Sequence, residues 1–84
     1  MALRWNVPTA TEIKALRTSL SLTQRRFCEA FGIDLDSLKS WETNRRSPEQ
    51  TTALFLRLIA EDPIYFARVV AKVEATQKDS TPRD

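Results

Sequence analysis

The chain of 84 residues has no histidine, one cysteine and one glycine, and each shortage closes off a class of protein. With Cys28 alone and no histidine, neither an internal disulfide nor a Cys/His zinc cage can be assembled, so no metal site is expected. General acid–base catalysis loses its commonest side chain, and no glycine-rich loop is present to cradle a phosphate. No cofactor and no enzymatic activity are therefore expected. The single Gly32, the four prolines and the lack of period-two alternation leave little from which to build hairpins, and point to an all-α chain with short connections. No apolar run approaches the roughly 20 residues that span a bilayer, and Met1 to Pro8 lacks the apolar stretch of a secretory signal. A cytoplasmic protein with no membrane partner is the expectation, and a lone cysteine agrees with a reducing compartment.

What the chain does have is enough apolar residue, 42% with 8% aromatic, for one modest core. With no disulfide or metal staple, stability must come from helix packing or from a partner chain. The net charge of +2 and pI near 9.0 are unevenly spread: residues 1–47 hold eight Lys/Arg against five Asp/Glu, and residues 48–84 hold five against six. The basic excess lies in the first half, the side of the chain that would face a polyanion.

Five helices follow from spacing and caps. The first runs from about Thr11 to Ser19, capped by Thr9 or Thr11, with Ile13, Leu16 and Leu20 on one face. The second opens at Thr23, places Phe27 and Phe31 four apart, and ends at Gly32, where a positive φ is easily taken. The third spans about Asp34 to Thr43, with Asp34 as cap and Leu38 and Trp41 inward; Asn44 near Pro48 closes it. Pro48 behind a Ser47 cap starts the fourth, whose apolar face is Leu54, Phe55, Leu58 and Ile59. Asp62 and Pro63 restart the chain as a fifth helix to about Thr76, on which Phe66, Val69, Val70 and Val73 follow i, i+3, i+4, i+7. The expected organisation is a short arm over 1–10, containing an unexplained Trp5, one domain over 11–76, and a frayed polar tail over 77–84.

The stretch Thr23 to Glu42 is two short helices joined by a tight turn. Its motifs resemble those of the lambda-repressor-like, or XRE, helix-turn-helix domain: Leu20-x-Leu22-Thr23-Gln24 at the entry to the second helix, Phe31-Gly32-Ile33 at the turn, and Trp41-Glu42 at the end of the third. The resemblance covers Ile13 to about Asp62. It implies a compact five-helix DNA-binding domain whose third helix enters the major groove of double-stranded DNA. By match to that family, Leu35, Asp36, Lys39 and Ser40 face base edges. Leu35 suits a thymine methyl, Asp36 the cytosine amino group, and Lys39 guanine or a phosphate. The resemblance also implies a phosphate clamp of Gln24, Thr43, Asn44, Arg45 and Arg46, and a tie between Arg17 and Glu42 that sets docking geometry. Ser37 supports the helix or a phosphate, and Arg25 is an accessory phosphate contact or a solvated surface charge.

Two acids, Asp34 and Asp36, stand where that family more often carries neutral or basic residues. Asp34 is an ordinary cap, whereas Asp36 reads cytosine, repels a wrong sequence, or complements the helix dipole. Trp41 and Cys28 are read as packing groups.

A finer resemblance, to HigA-like antitoxins, rests on Asn44-Arg45-Arg46-x-Pro48 and on Leu54-x-x-x-Leu58-Ile59-x-x-Asp62-Pro63. It implies a repressor that autoregulates its operon and binds a small, basic, RelE/HigB-like ribonuclease toxin. The alternatives are a stand-alone or phage-type repressor, and a helical adaptor that no longer binds DNA. One recognition helix reads few base pairs, so a homodimer on an inverted-repeat operator is expected, with Ile64, Tyr65, Phe66, Val69, Val70 and Val73 at its interface.

Overall fold

The computed structural model describes residues 6–79, which form five α-helices and no strand. They are α1 (Ala10–Ser19), α2 (Gln24–Phe31), α3 (Leu35–Glu42), α4 (Gln50–Glu61) and α5 (Pro63–Asp79). Each of the first three starts at a side-chain cap. Thr9 Oγ1 accepts from Glu12 N while the Glu12 carboxylate accepts from Thr9 N, a reciprocal capping box. Thr23 accepts from Arg26 N and Asp34 from Ser37 N. Each also stops at a residue in the left-handed region: Ser21 (φ 59°), Gly32 (φ 66°) and Asn44 (φ 63°). That reversal lets the next amides fold back on the helix, as Leu22 N does on Arg17 O, Ile33 N on Cys28 O and Arg45 N on Ser40 O. The result is three helices linked by turns of only a few residues, a spacing that fixes their mutual angles.

The core is Ile13, Phe27, Cys28, Phe31, Leu38, Trp41, Ala53, Leu56 and Ile59. Phe27 and Phe31, one helical turn apart, meet at 5.0 Å between ring centres. Full burial of side chains of this size stabilises by roughly 1.5–3 kcal/mol each. α1 and α2 pack on α3, and α5 lies across α2 and α4. The N-terminal segment is part of this body: Pro8 is buried, Val7 half-buried, and Arg57 Nε donates to Asn6 O at 3.1 Å. Trp5 lies outside the described residues.

Four expectations are corrected. α4 begins at Gln50, not Pro48: Glu49 is extended (φ −70°, ψ 167°) and is the cap position, although its side chain makes no cap hydrogen bond. Pro48 instead sits one residue before the cap and is buried, as is Ala53 four positions into the helix, the two places that a hydrophobic staple joins. Burying the proline ring outweighs its preference for the first helical turn. The buried face of α4 is Ala53, Leu56 and Ile59. Leu54 is only half-buried, Leu58 is 38% exposed, and Phe55 packs edge-on to Phe66. α5 continues to Asp79 through part of the expected tail. Its apolar stripe divides, with Phe66 against the core and Val70 beside Gly32, while Val73 is 55% exposed.

Gly32 gives a clean test of the left-handed turns. A methyl group added there would meet Glu74 and Val70 only at 3.8 Å, ordinary contact distance, so the positive φ is the whole cost. Gly32→Ala is expected to lower unfolding free energy by about 1–2 kcal/mol in urea titration, with an unchanged m-value.

Candidate nucleic-acid interface

α3 is held by two opposed demands along its length. Leu38 and Trp41 are buried, and the positions facing away from them, Asp36, Lys39, Ser40 and Thr43, recur at i, i+3, i+4, i+7. Together with Arg45 they surround one shallow surface depression. Asp36, Lys39, Thr43 and Arg45 are exposed there and Ser40 is half-buried, so the polar groups of this face are open to a ligand. Leu35 is placed differently from the expectation: it is half-buried and packs against the core, with its other neighbours around a second depression lined by Arg25, Cys28, Glu29, Ile33 and Asp34. Its apolar surface anchors the start of α3, because the turn through Gly32 brings it over α2.

Ser37 and Asp34 form a closed unit. The Asp34 carboxylate accepts from Ser37 N at 3.0 Å and from Ser37 Oγ at 3.2 Å, so both side chains serve the helix start. At the other end the Thr43 hydroxyl donates to Lys39 O at 2.9 Å, and Asn44 N donates to Trp41 O. The amides of Arg45 and Arg46 both turn back to Ser40 O, at 2.9 and 3.3 Å. This leaves the two arginine side chains exposed but pointing to different neighbours. Arg45 lies with the α3 face, while Arg46 lines a depression with the N-terminal segment Val7–Ala10 and with Asn44, Ser47 and Pro48.

The arrangement is locked by one ion pair. Arg17, in the last turn of α1, meets Glu42, the last residue of α3, through two parallel hydrogen bonds: Nε to Oε2 at 2.8 Å and Nη2 to Oε1 at 2.9 Å. Their side chains are 12% and 5% exposed. The third guanidinium nitrogen, Nη1, donates to Leu22 O at 2.9 Å, and Gln24 Nε2 donates to Glu42 Oε1 at 3.2 Å. Arg17 and Glu42 together therefore tie α1, the turn after it, the start of α2 and the end of α3 at one point. The hydrogen bond to Glu42 raises the Arg17 pKa further above its already high value, against the opposing effect of burial. Gln24, expected as a phosphate contact, has one amide proton committed to Glu42. Sequence reasoning did not find the Leu22 carbonyl, and no side-chain signal could have revealed it.

The sequence profile of the helix-turn-helix family matches residues 13–56, just over half of the chain. A crystal structure of an "HTH XRE-family like protein" from Agrobacterium tumefaciens superposes with a TM-score of 0.68 at 38% identity, over 69% of this chain and 94% of that one. The chain belongs to the XRE family of helix-turn-helix proteins. No curated protein matches it. Family membership makes it a DNA-binding transcription regulator with the all-α, lambda-repressor-like fold. Among the described residues no helix is long and apolar enough to cross a membrane.

Within this XRE-family chain Cys28 sits behind the interface, buried between α2 and the start of α3. Burial pushes its thiol pKa up, and the charges of Asp34 and Glu42 add to the rise. It stays a neutral packing group at physiological pH, where a reactive cysteine would need the opposite shift.

The bidentate pair makes a sharp prediction. Removing either Arg17 or Glu42 alone leaves a desolvated charge and is expected to cost about 3–5 kcal/mol, while Arg17→Met with Glu42→Leu is expected to cost less than the sum of the singles. Equilibrium unfolding of the four proteins measures the coupling. Additive losses would mean that the pair is solvated and does not fix the helices.

Proposed function

We infer that the chain is a sequence-specific transcriptional repressor that binds double-stranded DNA as a two-fold homodimer in the cytoplasm. The observation that carries the reading is the outward face of α3: Asp36, Lys39, Ser40 and Thr43 lie on one stripe, with Arg45 beside it and none of the five buried. A helix fits the major groove, where side chains of these types reach base edges. Asp36 accepts from a cytosine amino group, Lys39 donates to guanine or a phosphate, and Ser40 serves either. Arg45, Arg46 and Gln24 flank the face and supply phosphate contacts that give affinity without sequence. Leu35, half-spent on the core, contributes less to base reading than the other three.

Homodimerisation is supported by what α5 leaves uncovered. Ile64 is 71% exposed, Tyr65 and Val73 each 55%, and Leu58 on α4 adds 38%. Tyr65, Val69 and Val73 follow at intervals of four, a stripe that a second copy would cover while placing a second α3 for the other half-site. Phe66, packed against the core, and Val70, beside Gly32, offer that interface less surface than Tyr65 and Val73.

A narrower role, as an antitoxin that neutralises a RelE/HigB-like ribonuclease, rests on the sequence resemblance alone. Much of its motif is accounted for by folding: Asn44 takes the left-handed turn, Pro48 is buried before α4, and Asp62 Oδ1 caps α5 through Tyr65 N with Pro63 at its first position. Co-purification with, and inhibition of, a small ribonuclease encoded beside it tests that role.

Selection from a randomised duplex pool tests the main reading. An inverted repeat with half-site centres about 34–36 Å apart is expected, and Asp36→Ala and Ser40→Ala should each change preference at particular base pairs by about 1–3 kcal/mol. Uniform weakening across sequences would remove α3 from base reading. Val73→Asp is expected to give a folded monomer in sedimentation with weakened operator binding. An unchanged dimer would exclude this face of α5.

A further inference from the structure

α1 carries a feature that the base-reading face does not absorb. Ala10, Thr11, Lys14, Ala15 and Thr18 line a groove along α1 whose far wall is Glu42, the last residue of α3. Ala10 also lines the depression beside Asn44, Arg46 and Ser47, so the groove begins at the arginine loop; it runs on to Thr18, beside the Arg17–Glu42 pair on which Gln24 closes. The groove thus adjoins the depression lined by Arg46, through Ala10, and the Glu42 carboxylate on which Gln24 closes. Its length along α1, from Ala10 to Thr18, is about 12 Å, the rise of three to four nucleotides of one strand.

The lining chemistry suits a polyanion. Lys14 is exposed and makes no ion pair among the described residues. Thr11 is exposed too, while the Thr18 hydroxyl donates to Ala15 O at 3.3 Å. Ala10 and Ala15 are small enough for a sugar-phosphate strand to approach the helix closely. The one acid in the groove, Glu42, is already compensated: its two oxygens accept from Arg17, and one of them also from Gln24. Lys14 is therefore the uncompensated charge of the groove.

We propose that this α1 groove takes a DNA backbone phosphate outside the base pairs read by α3, with Lys14 as the neutralising cation. The proposal rests on the DNA-binding reading and extends it, since it lengthens the footprint on one strand. It makes Lys14 a contact that contributes affinity and no base preference.

The test uses the full-length protein and a duplex enriched from a random pool. Lys14→Ala and Lys14→Gln, at an exposed position, should keep the wild-type thermal unfolding midpoint. Because a dimer carries two copies of Lys14, each variant should reduce the slope of log K against log salt by about 1.8, or about 0.9 per half-site, which corresponds to binding about sixtyfold weaker at 0.1 M salt and converging on wild type near 1 M. Base preference should not change, Lys14→Arg should restore the slope, and phosphate ethylation interference should show one position in each half-site that matters for wild type and not for Lys14→Ala. Wild-type binding with an unaltered slope in Lys14→Ala overturns the proposal and leaves the α3 reading standing. Failure of the wild type to enrich or bind any duplex overturns the α3 reading itself. A slope unchanged on DNA together with weakened binding of a protein partner would overturn it too, and assign the groove to that partner.

Discussion

The Arg17–Glu42 pair is the constraint on which the rest of the domain depends. A carboxylate at the C-terminal end of a helix opposes the helix dipole, and one that is 5% exposed also gives up its hydration. Glu42 is tolerable there only because a guanidinium with matching geometry faces it. Arg17 in turn has all three nitrogens engaged, two on Glu42 and one on Leu22 O. Burying such a pair adds little net stability compared with apolar groups of similar size. Its value is directional: two parallel hydrogen bonds set the rotation of α3 about its own axis relative to α1, and that rotation decides which side chains face outward.

The left-handed turns serve the same end by different means. Ser21, Gly32 and Asn44 close the first three helices close behind their last turns, so the connections are too short to allow alternative helix angles. The turn at Asn44 has a further consequence. Because the amides of Arg45 and Arg46 are both drawn to Ser40 O, the basic loop begins directly under the C-terminal end of the outward face of α3. Positive charge is thus placed by backbone hydrogen bonds, and the basic excess of the first half of the sequence becomes a local surface property. The second half, slightly acidic overall, supplies α4 and α5, whose tasks are burial and the outer stripe of exposed Tyr65, half-buried Val69 and exposed Val73.

What could be read from the sequence was what is decided locally. The caps at Thr9, Thr23 and Asp34 and the stop at Gly32 depend on a few neighbouring residues, and the limits of α1, α2 and α3 followed from them to within one or two positions. The start and face of α4 did not, for two separate reasons. Pro48 has a strong preference for a first helical turn, and only tertiary burial overrides it. From Ala53 to Ile59 every residue but Arg57 is apolar, so periodicity offers no single face and Leu54 and Leu58 look as buried as Leu56. α5 posed the related difficulty that a stripe i, i+3, i+4, i+7 is broad enough to be shared between a core and a surface. At the interface, Asp36, Lys39, Ser40, Thr43 and Arg45 are named by the family resemblance, and Leu35 with them; the half-burial of Leu35 depends on where Gly32 places it over α2.

If the pair between α1 and α3 sets the reading face, its removal should damage recognition more than folding. The direct measurement is the ratio of affinities for a selected operator and an unrelated duplex, at one salt concentration, for the wild type and for Arg17→Met with Glu42→Leu. The double variant exchanges the charges for apolar groups of similar bulk and is expected to stay folded. Its affinity ratio should fall at least tenfold, about 1.4 kcal/mol, with binding to unrelated DNA little changed. An unaltered ratio in a folded double variant would contradict the account.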